Sequence, residues 1–184
     1  PIFKPLVEEE LSPDPIQQFA AWFSAAKARD DIRLPEAFCL STVSAQGAPE
    51  GRLLLLKGFD AEGFVFFTNM NSPKGKSLKA DPRAALTFYW APLGRQVRVA
   101  GRAREVSAQE ADEYFATRPK ASRISAWASR QSEPVEDRLA LERAMAKAVV
   151  FYEDKPVPRP PHWGGWRVVP ESVVFAHEGA PSAT

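Results

Sequence analysis

From Ile16 the apolar residues fall at helical spacing, with Phe19, Ala20 and Phe23 following on one side, and the run is preceded by Asp14-Pro15. An aspartate accepts hydrogen bonds from the first free amides of a helix, and a proline at the first helical position gives up no bond it would otherwise make. The spacing therefore predicts an amphipathic helix over 15–29. Beyond it the period shortens to two. Runs rich in β-branched and aromatic residues cover 37–43, 50–58, 64–69, 83–90 and 96–106, punctuated by Ala45-Gln46-Gly47, Glu62-Gly63 and Pro92-Leu93-Gly94. Strands this short and closely spaced join as antiparallel meanders, and five or more of them suggest a barrel.

Helical signals interrupt and follow the strands. Ser72-Pro73 opens a helix at 73–80, Ser107 caps 108–116, and 136–151 carries Leu139, Leu141, Met145 and Val149. The segment 155–161 (KPVPRPP) has too few amide donors for regular structure and is read as a connector into a last pair of strands at 166–169 and 172–176. The expected fold class is mainly β (α+β): one antiparallel barrel domain over 1–184 with peripheral helices, its ends at 1–13 and 177–184 flexible.

Charge and composition act by exclusion. With 24 Lys plus Arg against 23 Asp plus Glu, the net charge of +1 offers no general case for a nucleic-acid partner, so any anion site is local. No apolar run is long enough to span a bilayer, and PIFKPLVEEEL lacks the basic start and apolar stretch of an export signal, so no membrane association and a cytoplasmic location are expected. The single cysteine, Cys39 in AFCLSTV, is expected to be a small buried thiol. His162 and His177 have no second cysteine or carboxylate at ligand spacing, and no nucleophile-elbow, Walker or dinucleotide glycine pattern occurs. Redox work in such a chain needs an organic cofactor.

Anion chemistry concentrates in two places. Thr68-Asn69-Met70-Asn71-Ser72-Pro73-Lys74-Gly75-Lys76 sets a strand end, a Ser cap and two lysines at a helix N-terminus, where free amides favour phosphate; it reads as an anion site or as a capped helix with solvated lysines. Tyr114, Arg118 and Ser122 recur every four residues and suit a phosphate, but Pro119 argues for a helix end, a turn and a second helical stretch. Arg52 and Lys57 bracket Leu53 to Leu56, which read as a strand buried on both sides. Five residues apart, the two cations point to opposite faces of an ideal strand and share a ligand only if the strand bends or the ligand is long. In 96–106, Val97 and Val99 occupy one face while Gln96, Arg98, Arg102 and Arg104 occupy the other; the Gln96 amide suits either a heterocycle edge or the backbone.

Taken together, RLLLLKGFD at 52–60, GFVFFTN at 63–69, SPKGKSL at 72–78, FYWAPLGRQVRVAGR at 88–102, YFATRP at 114–119, SRISAWASRQSE at 122–133 and VPRPPHWGGWRVVPESVVF at 157–175 closely resemble the pyridoxine/pyridoxamine 5′-phosphate oxidase family, in order and spacing. The resemblance implies an FMN-binding split β-barrel that forms a homodimer with FMN at the subunit interface. At matching positions it implies that Arg52, Thr68, Ser72, Lys74, Gln131 and Ser132 hold FMN, with Leu53, Leu54 and Leu55 offering backbone contacts, Phe67 packing nearby and Gln96 addressing the ring. Lys57, Tyr114, Arg118 and Ser122 would bind the phosphate of pyridoxine or pyridoxamine 5′-phosphate, a small phosphorylated pyridine. The implied reaction is FMN-dependent oxidation to pyridoxal 5′-phosphate with oxygen as acceptor, and no catalytic residue is assigned beyond the flavin.

The sequence departs from the family in two places. Position 73 is Pro where the family often has Arg, which removes one phosphate cation while suiting the first helical turn. After Val174-Phe175 the family usually continues with a Trp and an Arg-Leu-His-Asp-Arg segment, whereas here Ala176-His177-Glu178-Gly179 follow, with His177 expected to be solvated. Without the substrate-facing Arg and His, two alternatives stand beside the oxidase: a related FMN-dependent oxidoreductase with another small substrate, and a non-catalytic FMN or pyridoxal phosphate binding protein.

Overall fold

The structure, a computed structural model, describes residues 6–128 and 138–178. Helix α1 (Pro15–Lys27) starts as its sequence requires, with the Asp14 carboxylate accepting from the Ile16 amide at 2.8 Å. Seven strands follow, β1 (Ala37–Val43), β2 (Pro49–Leu55), β3 (Gly58–Asp60), β4 (Gly63–Asn69), β5 (Arg83–Trp90), β6 (Arg95–Glu105) and β7 (Trp163–His177). They form one sheet in the order β2-β1-β5-β6-β7-β4-β3, and β1 pairs antiparallel with both β2 and β5, as β5 does with β6 and β3 with β4. Helices α2 (Pro73–Ala80), α3 (Ala108–Thr117), α4 (Lys120–Ala128) and α5 (Arg138–Phe151) interrupt the strands, so the mainly β, antiparallel expectation with helices holds. The turns fall where the sequence breaks, the β5–β6 turn closing on Gly94 at φ 60°, a left-handed conformation that suits a residue without Cβ.

Five expectations change. The predicted strand 50–58 is two strands, because the Leu56 amide donates to the Glu36 carbonyl while the next amide, that of Lys57, donates to Val65; the chain leaves one sheet edge and joins the other. The quartet is not buried on both sides, since β2 is an edge strand with one neighbour and Leu53 is 76% exposed. The final pair of strands is the single β7, which passes through Pro170; proline lacks an amide donor, but its fixed φ is compatible with extended backbone. Cys39 is half-buried, because alternate residues of β1 face away from the core, and His177 lies half-buried within β7.

The chain divides into two compact units, unit 1 from Pro1–Phe66, Ser77–Arg104 and Arg167–Thr184, and unit 2 from Phe67–Lys76 and Glu105–Trp166. Unit 1 is organised around Phe19, fully buried, whose ring meets Phe59, Phe64 and Phe88 edge-on at centroid distances of 4.9 to 5.0 Å. Edge-to-face rings add specific attraction to the area they bury. In unit 2, α4 and α5 pack through Ile124, Met145, Ala148, Tyr152 and Val157. Among the described residues no helix is long and apolar enough to cross a membrane, and no group of three or more His, Cys, Asp or Glu is placed to hold a metal.

Candidate functional site

The first anion cradle belongs to unit 2. Strand β4 ends in Thr68 and Asn69, and the chain turns through Ser72 into α2. The turn is fixed by the Met70 amide donating to the His162 carbonyl at 2.7 Å and the Asn71 amide donating to Asn69 Oδ1 at 2.8 Å. Thr68, Asn69, Ser72 and Lys74 are all buried. Lys74 Nζ donates to Ser72 Oγ at 3.2 Å, and the Gly75 amide donates to the same oxygen at 3.3 Å. A buried ammonium and two hydroxyls at the positive end of a helix form a donor set that fits a phosphate.

The second cradle, also in unit 2, is the α3–α4 junction. Pro119 disfavours helical backbone at the residue before it, and Arg118 is extended (φ −70°, ψ 145°), closing α3. Its guanidinium lies over Trp163 at 4.9 Å and Phe115 at 5.5 Å. Its Nη1 is buried and has no hydrogen-bond partner among the described residues. Burial lowers the Arg118 pKa against a smaller opposing effect of Tyr114, and burial raises that of Tyr114 against the opposing charge of Arg118. The Tyr114 ring stacks on Phe67 at 4.2 Å and 4°. Ser122 sits half-buried in the first turn of α4. An orphaned, desolvated guanidinium donor beside a protonated phenol fits an incoming dianion.

Unit 1 carries the remaining candidates. Arg52 on β2 pairs with Glu50 Oε2 at 2.9 Å and donates to Thr42 Oγ1 at 2.6 Å, so its charge is already partly compensated. Leu53 is exposed, Leu54 and Leu55 are half-buried, Lys57 is exposed just past the bend, and Gln96 is half-buried at the start of β6. Arg102 and Arg104 pair with Glu171 and Glu62. Gln131 and Ser132 lie outside the described residues. The structure thus brings Ser72 together with Lys74, and Tyr114 with Phe67 and Arg118.

Sequence reasoning missed Trp163, Phe115 and Glu50. Glu50 was recoverable, since residues two apart share a strand face. Trp163 was not, because its contacts with residues 67 and 118 depend on the tertiary fold.

Similarity to known proteins bears on the family and the fold. A model of the family described as pyridoxamine 5′-phosphate oxidase matches residues 24–151. A protein of Rubrobacter xylanophilus named pyridoxine/pyridoxamine 5′-phosphate oxidase is 52% identical over 170 residues, covering 92% of this chain and 78% of its own length. One of Bordetella petrii with the same name is 50% identical over 177 residues, covering 96% and 82%. Among solved structures, PhzG from Burkholderia lata in complex with tetrahydrophenazine-1-carboxylic acid superposes with a TM-score of 0.89 at 27% identity, covering 99% of this chain and 89% of that one. A pyridoxamine 5′-phosphate oxidase-related, FMN binding protein from Nostoc punctiforme shares the fold, with a TM-score of 0.71 at 18% identity over 91% of this chain and 87% of that one. The architecture is the split barrel.

Proposed function

The chain belongs to the pyridoxamine 5′-phosphate oxidase family, and on that premise we propose that it oxidises pyridoxine 5′-phosphate or pyridoxamine 5′-phosphate to pyridoxal 5′-phosphate, using FMN and oxygen. The observation that carries the proposal is the second cradle, where Arg118 keeps a buried donor without a hydrogen-bond partner among the described residues, beside Tyr114. Bound FMN would supply the acceptor for a hydride from the substrate C4′ carbon as the alcohol or amine gives up a proton; the alcohol yields the aldehyde directly, the amine yields an imine that water hydrolyses to aldehyde and ammonia, and oxygen would take the two electrons and two protons as hydrogen peroxide. In this reading Thr68, Ser72 and Lys74 hold the FMN phosphate, while Tyr114, Arg118 and Ser122 hold the substrate phosphate. A phosphate grip remote from the reacting carbon positions it without taking part in the chemistry. By family resemblance Arg52, Leu53, Leu54, Leu55, Phe67, Gln96, Gln131 and Ser132 join the proposed FMN residues and Lys57 the proposed substrate residues. A homodimer is part of it too, supported by the exposed Leu53 on the β2 edge, since open sheet edges invite a covering partner.

The residue assignment is tested by matched titrations. Lys74→Ala is expected to weaken FMN more than pyridoxal 5′-phosphate, and Arg118→Ala the reverse. Each loss should be about tenfold or more, since hydrogen bonds to charged groups contribute about 1.5–3 kcal/mol. The opposite order contradicts the assignment. The likeness to PhzG favours a second reading, a related flavin-dependent oxidoreductase acting on a larger carboxylate-bearing ring system. The roughly twofold higher identity to proteins named as the phosphate oxidase supports the first.

A further inference from the structure

Arg118, like the half-buried Arg95 that lies over the Trp22 ring at 4.7 Å, is compensated differently from three arginines that meet carboxylates. Arg167 meets Asp60 at 2.5 Å, Arg52 meets Glu50 at 2.9 Å, and Arg159 meets Asp112 at 2.6 Å. Among the described residues no carboxylate pairs with Arg118; aromatic faces surround it instead. The distinction matters chemically. A carboxylate occupies the planar fork with two hydrogen bonds and must be displaced before an anion can bind. A ring face attracts the cation through its quadrupole and leaves the N–H donors uncommitted.

The ring that does most of this, Trp163, is itself braced. Its amide donates to the Pro160 carbonyl at 3.0 Å, and its carbonyl accepts from Arg159 Nη1 at 2.7 Å. Arg159 Nε donates to Asp112, on the same helix that carries Tyr114. The indole stacks on Phe67 at 5.1 Å and 3°, and Phe67 stacks on Tyr114. The Phe67 ring closes onto Gly165, where a Cβ would stand 2.7 Å from two ring carbons. Three near-parallel rings therefore tie the phenol of Tyr114 and the guanidinium of Arg118 to one support.

Resting on the phosphate-binding role given to Arg118 above, we propose that Trp163 is a positioning residue. Its indole face holds the Arg118 guanidinium in place without neutralising it, so that Arg118 and Tyr114 act as one preformed clamp on the phosphate monoester of the substrate. Trp163 touches neither cofactor nor substrate in this proposal; it acts through Arg118.

The test is a double-mutant cycle on FMN-loaded protein, reading the Kd of pyridoxal 5′-phosphate and of inorganic phosphate by calorimetry. Trp163→Leu is expected to weaken both roughly 5- to 20-fold, the range of a partly desolvated cation–π contact. Trp163→Phe, which restores a ring face, should recover most of the loss. In the Arg118→Ala background, Trp163→Leu should change either Kd less than about 2-fold, because the residue it acts through is gone. FMN affinity and the cooperativity of thermal unfolding serve as controls on folding, and Trp163→Met takes the place of Leu if the Leu variant does not fold. Equal weakening in both backgrounds, or none in the native one, overturns the positioning role while leaving the oxidase reading intact. A wild-type protein that binds neither probe overturns that reading and the clamp with it.

Discussion

Tyr114 donates to an anion only while it keeps its proton. Burial raises its pKa above the ordinary value of 10.0, with the Arg118 charge opposing the rise. A group whose pKa is raised in the folded protein stays in its protonated form until the pH passes that raised value, so this donor persists through the neutral and mildly alkaline range. Arg118, although lowered by burial, remains a cation throughout, because a guanidinium does not deprotonate in proteins. The phosphate monoester gains its second charge near pH ~6. Affinity for pyridoxine 5′-phosphate is therefore expected to rise between about pH 5 and pH 7 and to hold to about pH 9, as followed by titration calorimetry. A fall between the last two values would mean that Tyr114 ionises early and is not the donor. At this scale the sequence was readable where donors are contiguous, as in Ser72 and Lys74, and silent where a residue such as Trp163 acts through space on Arg118.

At the scale of elements, the helices and most strands follow from local pattern: β1, β5 and α2 match their predicted bounds, because alternation, turn residues and caps act over a few positions. The division of 50–58 into β2 and β3 was not readable. It depends on whether a given amide finds Glu36 or Val65, a choice made by the sheet and not by the residues between. The unbroken β7 was missed for a related reason, since Pro170-Glu171 has the local form of a turn and only the sheet shows it continuing as a strand. One element carries a consequence for the site. At the start of β7, Gly165 leaves room for the Phe67 ring, and a Cβ there would stand 2.7 Å from that ring and 2.8 Å from Val106. Gly165→Ala is therefore expected to lose about 1–3 kcal/mol of stability, the usual cost of overpacking, measured by denaturant unfolding. Pyridoxal 5′-phosphate binding should weaken with it as the ring stack shifts. A variant of wild-type stability and affinity would show that the stack is not tightly constrained.

For the molecule as a whole, unit 1 carries the strand edge with Leu53 exposed and unit 2 the two candidate anion cradles. An open sheet edge presents unpaired backbone groups that association can cover. FMN-loaded protein is expected to show twice the 20.4 kDa chain mass by light scattering, and a monomeric mass would contradict the dimer. Family and fold were legible from seven segments in register, whereas turnover was not, since relatives with this fold differ in the ligand they are solved or named with. The measurement that bears most directly on the function is anaerobic mixing of FMN-loaded protein with pyridoxine 5′-phosphate and with pyridoxamine 5′-phosphate, following the visible flavin absorbance. Bleaching with either or both, formation of pyridoxal 5′-phosphate, and recovery of the absorbance when oxygen is admitted are the expected results. An unchanged flavin spectrum in the presence of both substrates would contradict the proposed oxidation.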